Sequence, residues 1–212
     1  MSYNNHTPET TVVAFDLHGV VSTSDYWQIV KLGIRNLGNI ARLGLYTFNP
    51  FFLKDAYRLW RSNAVAAAYL HMVDIKYPFL KPTINFLIQV GNAQKPNQPL
   101  IDFIKKLKDH GYHVHMFSNI GDIILDDFTV KHPDIVDLFD AIWSTNKSNN
   151  YIGKPYDAAF INYHAQNKNG KQVIFVDNTK RNIAAANRHN IIGILFINTQ
   201  DVIQQITRLL EL

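Results

Sequence analysis

The chain has no cysteine among its 212 residues. This absence excludes disulfides, thiolate nucleophiles and cysteine-ligated zinc, although it does not identify a compartment. Long apolar runs are also missing, since no stretch approaches the roughly 18 uninterrupted apolar residues that a membrane span needs. The first ten residues are polar and lack the apolar core of a secretory signal. We therefore predict a soluble, cytoplasmic protein with no membrane partner.

Charged residues are scarce as well, at 18%, against 47% hydrophobic residues. This balance is typical of a globular chain, and the length suffices for one core domain with a smaller insertion. The net charge of +4 is only a mild excess. Its densest stretch, Lys105-Lys106-Leu107-Lys108, is interspersed with apolar residues as on a helix face and predicts a solvated face rather than a nucleic-acid site. The sequence does not indicate an oligomeric state.

Apolar segments that predict buried parallel strands recur along the chain. A weaker one spans residues 141–144, and four strong ones span residues 11–16, 113–117, 172–176 and 192–197. Helical patterns lie between and after them, at residues 99–109, 179–189 and 201–211. This alternation predicts an α/β layered domain with right-handed crossovers.

Residues 22–97 break the alternation, because they are rich in aromatics and show no clear strand. Helical spacing runs over residues 26–34 and from residue 56 to 73. Ser22 and Asp25 have capping-box spacing, which predicts a helix start there. Residues 92–99 hold two prolines and predict the hinge back. We predict a core of residues 11–21 and 98–212, with an all-helical cap, residues 22–97, over the carboxyl ends of the strands.

Polar residues that could carry chemistry follow three of the predicted strands, and a lysine motif lies between the second and third. Because the carboxyl ends of parallel strands meet at one edge, we expect these residues to form one site. Their separations are 102 residues from Asp16 to Ser118, 36 to Lys154 and 23 to Asp177. The motifs are Asp16-Leu17-His18-Gly19-Val20, Phe117-Ser118-Asn119, Gly153-Lys154-Pro155 and Asp177-Asn178.

Each motif has a chemical and a structural interpretation. Asp16 could be a carboxylate nucleophile or the cap of a turn. The Ser118 hydroxyl and the next backbone N–H could hold a phosphoryl oxygen, or Ser118 could cap a helix. Lys154 could balance developing charge or be an exposed loop lysine. Asn178 is equally compatible with an Asx turn.

Together, the four motifs resemble those of the haloacid dehalogenase-like (HAD) hydrolase superfamily, over residues 11–21 and about 97–197. The resemblance implies a Rossmann-like parallel sheet core with an inserted all-helical cap. It implies a phosphatase that acts on a small phosphorylated metabolite through an aspartyl-phosphate. Asp16 is then the nucleophile, with Lys154 for charge balance. Ser118 and Asn119 hold the phosphoryl group, and the implied Mg²⁺ ligands are Asp16, the His18 carbonyl, Asp177 and Asn178.

Two positions depart from the superfamily pattern. His18 stands where family phosphatases carry their acid/base aspartate, and imidazole can also transfer protons. Asn178 replaces a metal-binding carboxylate, which predicts weaker Mg²⁺ binding. Two alternatives stay open: a metal-independent 2-haloacid dehalogenase, with Arg35 or Arg42 binding a substrate carboxylate, and a catalytically degenerate binding or regulatory protein on the same scaffold.

Two further groups have simpler interpretations. His113 and His115 share one face of a strand and could bind a metal, but without a third ligand in view we predict ordinary, partly buried histidines. Six aromatic residues could form a partner-binding patch, and we predict that they pack a small cap core instead. They are Tyr46, Phe48, Phe51, Phe52, Tyr57 and Trp60.

Overall fold

The structure is a computed structural model that describes residues 6–61, 75–146, 148, 150–166 and 171–212. Its strands are β1 Thr11–Phe15, β2 Ser22–Ser24, β3 Gln94–Pro96, β4 His113–Gly121, β5 Ala141–Thr145, β6 Gln172–Asp177 and β7 Ile192–Leu195. Its helices are α1 Tyr26–Arg35, α2 Leu37–Tyr46, α3 Pro50–Arg61, α4 Lys81–Gly91, α5 Gln98–Asp109, α6 Asp122–Lys131, α7 Pro133–Val136, α8 Asp157–Gln166, α9 Lys180–Arg188 and α10 Thr199–Leu210.

Five parallel strands form a central sheet in the order β5-β4-β1-β6-β7. The prediction of an α/β, Rossmann-like parallel sheet is therefore confirmed. All five residues of the central strand, β1, are buried. Because their side chains point alternately to the two faces of the sheet, both faces must be covered there. Val13 and Phe15 pack with Leu100 of α5 in one cluster, while Ala14 packs with Phe160 of α8 in the other. Helices thus cover both faces of the sheet.

A small antiparallel pair of strands was missed by the sequence analysis. Ser22–Ser24 pairs with Gln94–Pro96, so the prediction that residues 22–97 hold no strand is wrong. Each of the two strands is three residues long, consists mostly of polar residues and shows no alternation of apolar and polar side chains. Their pairing depends on partners about 70 residues apart, which local patterns do not record. The pair joins the two ends of the insertion, the name used below for residues 22–97.

The first helix of the insertion also begins later than predicted. Ser22 lies in β2, and Asp25 is the residue that caps α1, since its carboxylate accepts a hydrogen bond from the Gln28 N–H at 3.0 Å. Helices α1 and α2 pack on α4. Part of the predicted helical stretch, residues 62–73, lies outside the described residues. Among the described residues, no helix is long and apolar enough to cross a membrane.

Candidate active site

Three adjacent strands bring the predicted site residues to one edge of the sheet. Phe15 of β1 pairs with Met116 of β4 and with Val176 of β6. The residue after Phe15 is Asp16, and Asp177 ends β6, so the two carboxylates lie level on neighbouring strands. Ser118 lies two positions beyond Met116 on the other side of β1. The strand order therefore assembles residues that are more than 100 positions apart.

Lys154 joins the two carboxylates. Its Nζ donates hydrogen bonds to Asp16 Oδ1 at 3.1 Å, to Asp177 Oδ2 at 2.7 Å and to the Phe117 carbonyl at 2.6 Å. The ammonium also lies 5.1 Å and 4.7 Å from the ring centroids of Phe117 and Phe175. The side chain is almost fully buried. Lys154 is therefore a paired, buried cation in the site and not an exposed loop lysine.

Within the described residues, one of the two side-chain oxygens of Asp16 accepts a hydrogen bond. Its backbone N–H donates to the Val176 carbonyl at 2.9 Å, and its Oδ1 accepts from Lys154. The residue is 7% exposed. Within the described part of the chain, no donor reaches Oδ2. A carboxylate that is fixed at one oxygen and free at the other is arranged for nucleophilic attack.

His18 lies in the turn after Asp16 and is half-buried. Burial lowers the pKa of its imidazole, and this outweighs the opposing effect of Asp16, while Lys154 lowers the pKa further. The ring is therefore neutral near pH 7, the form that accepts a proton. Gly19 follows with φ at +81°, and the Asn178 side chain occupies the space that a Cβ would take. The turn and the end of β6 are thus in direct contact.

Ser118 and Asn119 have different surroundings. Ser118 is 1% exposed, and its hydroxyl makes no hydrogen bond within the described residues. The Asn119 side chain instead contacts the backbone of Lys154: its Oδ1 accepts from the N–H and its Nδ2 donates to the carbonyl, each at 2.7 Å. Asn119 therefore positions the lysine. Sequence reasoning placed Asn119 at the phosphoryl group and missed this contact, for which the sequence carries no signal.

Gly153 makes room for that contact. A Cβ there would lie 2.7 Å from Asn119 Oδ1 and 3.0 Å from Thr145 Cγ2. We expect Gly153→Ala to displace Asn119 and to lower the free energy of unfolding by about 1–3 kcal/mol, measured by urea denaturation. Gly38→Ala is the control, because nothing lies within 4 Å of that position in α2 and alanine favours a helix. Unchanged stability of Gly153→Ala would contradict the packing described.

Asp177 is enclosed by donors. It is 0% exposed, its Oδ1 accepts from the Thr179 N–H at 2.7 Å, and its Oδ2 accepts from Asn182 Nδ2 at 2.9 Å as well as from Lys154. Asn178, in contrast, is exposed, and its Oδ1 accepts from the Thr179 hydroxyl at 3.2 Å. Asn182, which was not predicted as a site residue, helps to hold Asp177.

The oxygens at this edge are of the hard type that Mg²⁺ prefers. The predicted donors are Asp16, the His18 carbonyl, Asp177 and Asn178. Among the described residues, both oxygens of Asp177 already accept hydrogen bonds, whereas Asp16 Oδ2 accepts none. The described residues contain no group of three His, Asp or Glu side chains placed to hold a metal. The predicted donors are thus oxygens of the type that Mg²⁺ takes, with one carboxylate oxygen free of hydrogen bonds within the described residues.

The other candidate residues do not join this site. His113 is exposed beside Asp140, whereas His115 is buried with its Nδ1 3.0 Å from the Tyr163 hydroxyl, and burial lowers its pKa to about 4. Arg35 is exposed in the last turn of α1. Arg42 donates to Asn39 Oδ1 at 3.3 Å. His113 is thus an exposed histidine and His115 a buried one with a hydrogen-bond partner, although both were predicted to be partly buried.

Of the six aromatic residues that were predicted to pack in a small core, some are buried and others are exposed. Phe52 is buried and packs edge-to-face with Tyr46 and Tyr77, with ring centroids 5.6 Å and 5.5 Å away. Phe48, Phe51 and Tyr57 are exposed instead, so their predicted packing in a small core is wrong. The Trp60 side chain lies outside the described residues. Sequence patterns show apolar character but not which face of a helix a neighbour covers.

Comparison with known proteins identifies the fold. No family model matches the chain, and no curated protein matches it. Among solved structures, one described as a predicted HAD-like family hydrolase from Porphyromonas gingivalis aligns with a TM-score of 0.62 at 16% identity, over 96% of this chain and 99% of that chain. This chain has the HAD-like fold.

Two other structures with the HAD-like fold carry different functional descriptions. A wild-type HAD family enzyme from Bacteroides thetaiotaomicron, solved in complex with magnesium and inorganic phosphate, aligns with a TM-score of 0.57 at 15% identity, over 88% of this chain and 93% of that chain. A structure described as a dehalogenase aligns with a TM-score of 0.55 at 16% identity, over 89% of this chain and 85% of that chain. At these identities the likeness shows the fold alone.

Proposed function

We propose that this HAD-like chain is a hydrolase, and specifically a phosphatase that acts on a small phosphorylated metabolite through an aspartyl-phosphate at Asp16. The supporting observation is the buried Lys154 ammonium, which bridges Asp16 and Asp177 at the carboxyl edge of the sheet. An ammonium fixed beside a half-free carboxylate orients the nucleophile and offsets the negative charge of an incoming phosphoryl group. The insertion acts as a cap that covers this edge.

In the first step, Asp16 Oδ2 attacks phosphorus, a bond from carboxylate oxygen to phosphorus forms, and the ester P–O bond breaks. The Ser118 hydroxyl, which has no other partner among the described residues, and the Asn119 N–H hold the phosphoryl oxygens. In the second step, neutral His18 accepts a proton from water as the water attacks phosphorus, which releases phosphate and restores Asp16. Protonation of the leaving oxygen needs imidazolium, the minority form, so good leaving groups should react fastest.

Mg²⁺ would be held by Asp16, the His18 carbonyl and Asn178, and the Asp177 carboxylate, which Lys154 links to Asp16, would add negative charge. When bound, the ion withdraws negative charge from the phosphoryl group. A structure of similar fold in complex with magnesium and phosphate supports this assignment. The low charge of the donor set leads us to expect a weak metal site.

A second candidate, dehalogenation without metal, has an observation in its favour. Position 178 holds a neutral asparagine, and the described residues contain no three-ligand acidic cluster. Asp16 could instead attack a carbon that bears a halogen, form an ester and expel halide. One structure of similar fold is described as a dehalogenase.

The deciding experiment compares two products from the wild-type chain. We expect phosphate release from an aryl phosphate in the presence of Mg²⁺ and its loss with EDTA. Halide release from a 2-haloacid that survives EDTA would overturn the phosphatase in favour of the dehalogenase. Turnover of neither substrate would favour a binding or regulatory protein on the same scaffold.

A further inference from the structure

Helix α2 presents its apolar side chains to solvent. Its outward positions carry no charged residue, and they are Leu37, Gly38, Ile40, Ala41, Gly44 and Leu45. The side turned toward the protein includes Asn39 and Arg42, which are hydrogen-bonded to each other. A surface helix in a soluble protein normally turns its apolar stripe inward. Although Leu43 and Tyr46 on its inner side are partly buried, the apolar outer side of α2 indicates that another surface covers this helix.

The exposed apolar surface extends over both neighbours of α2. Asn36 alone separates α1 from α2, and both helices pack on α4. Trp27 on α1 is 78% exposed, and Phe48, just after α2, is 85% exposed. Exposed groups of this size mark interaction sites. We define the apolar face as Tyr26, Trp27, Val30, Ile34, Leu37, Ile40, Leu45, Phe48 and Phe51.

The charge around the apolar face is mainly positive. Lys31, Arg35 and Lys54 are exposed on this segment and Arg42 lies on the inward side of α2, while Asp25 and Asp55 flank the segment. The whole insertion has nine Lys and Arg against three Asp, a net charge of +6, so the rest of the chain carries −2 of the total +4. An anionic partner therefore fits this face. Two copies that met through it would bring like charges together, which disfavours self-association.

A membrane surface matches these properties better than a nucleic acid does. Nucleic acids attract lysine and arginine and stack on aromatic rings, but they offer little apolar surface to Ile34, Leu37 or Ile40. Amphipathic helices that lie in the lipid interface combine aromatic and aliphatic side chains with surrounding lysine and arginine. Anionic lipids add electrostatic attraction to each basic residue near the surface.

We propose that the apolar face binds the surface of an anionic lipid bilayer, with α1 and α2 in the interface plane. The sequence prediction of no membrane partner rested on the absence of a spanning segment, and binding at the surface needs no such segment. The proposal does not depend on the proposed phosphatase activity, since it is tested without turnover.

The test is sedimentation of the full chain with vesicles of phosphatidylcholine containing about 30% phosphatidylserine, compared with pure phosphatidylcholine. We expect binding to the anionic vesicles that weakens as salt is added. The double variant Leu45→Gln/Phe48→Gln should lower the partition coefficient about tenfold or more, because both apolar side chains are removed from the lipid. The control is Val130→Gln/Ile197→Gln, which changes two equally exposed apolar residues outside the insertion and should bind like the wild type.

Three results would overturn the proposal. The first is no sedimentation with anionic vesicles at low salt. The second is equal loss of binding in the two double variants. The third is a stable dimer, seen by light scattering, that Phe48→Gln dissociates. Urea denaturation of both variants ensures that a loss of binding is not a loss of folding, because substitutions at exposed positions should leave stability nearly unchanged.

Discussion

Asp16→Asn should lower turnover of an aryl phosphate by about a thousandfold or more. The amide cannot form the acyl-phosphate bond, whereas its size and its contact with Lys154 Nζ through Oδ1 are retained. The measurement is kcat/KM for both proteins, purified by the same procedure. Stability from urea denaturation distinguishes loss of the nucleophile from loss of the fold.

A matched surface change provides the control for Asp16→Asn. Asp102 is an exposed carboxylate on α5 that accepts a hydrogen bond from Gln98 at 2.8 Å. Asp102→Asn removes the same charge at an exposed position that contacts none of the described site residues, and it should leave kcat/KM unchanged. Activity of Asp16→Asn within tenfold of the wild type would exclude Asp16 as the nucleophile and remove the aspartyl-phosphate mechanism.

Lys154→Met should be the most destabilising substitution considered, at about 3–5 kcal/mol. It removes the donor that Asp16, Asp177 and the Phe117 carbonyl share, and it leaves two nearly buried carboxylates without their cation. Urea denaturation at neutral pH measures the loss. Any remaining folded protein should also have lost turnover, because the charge opposite the phosphoryl group is gone.

Two further variants, a surface lysine substitution and a double substitution, test whether the loss of stability is specific to the buried Lys154. Lys108 pairs with Asp140 at 2.6 Å, but both side chains are about a third exposed, so Lys108→Met should cost no more than about 1 kcal/mol. Adding Asp177→Asn to Lys154→Met removes one of the two unpaired charges and should recover part of the lost stability. A loss no larger for Lys154→Met than for Lys108→Met would contradict the buried bridge.

The Lys154 bridge also shows which site residues can be predicted from local sequence patterns and which cannot. Asp16, Ser118 and Asp177 could be predicted as site residues because each follows an apolar strand, and parallel strands end at one edge. Lys154 lies in the loop after β5 and not directly at its end, so strand position alone does not bring its ammonium to the two carboxylates. The structure supplies the missing reason, since Asn119 and the small Gly153 fix the backbone from which the ammonium reaches both carboxylates.

The sequence by itself determined the alternation of strands and helices in the core and the residues at the strand ends. These are local properties, recorded in apolar periodicity and in the residue types at turns. Only the tertiary structure decided the strand order that places Asp16 between Ser118 and Asp177, the pairing of β2 with β3, and the outward apolar side of α2. Each of these depends on contacts between segments far apart in the chain, and periodicity states how apolar a face is without stating what covers it.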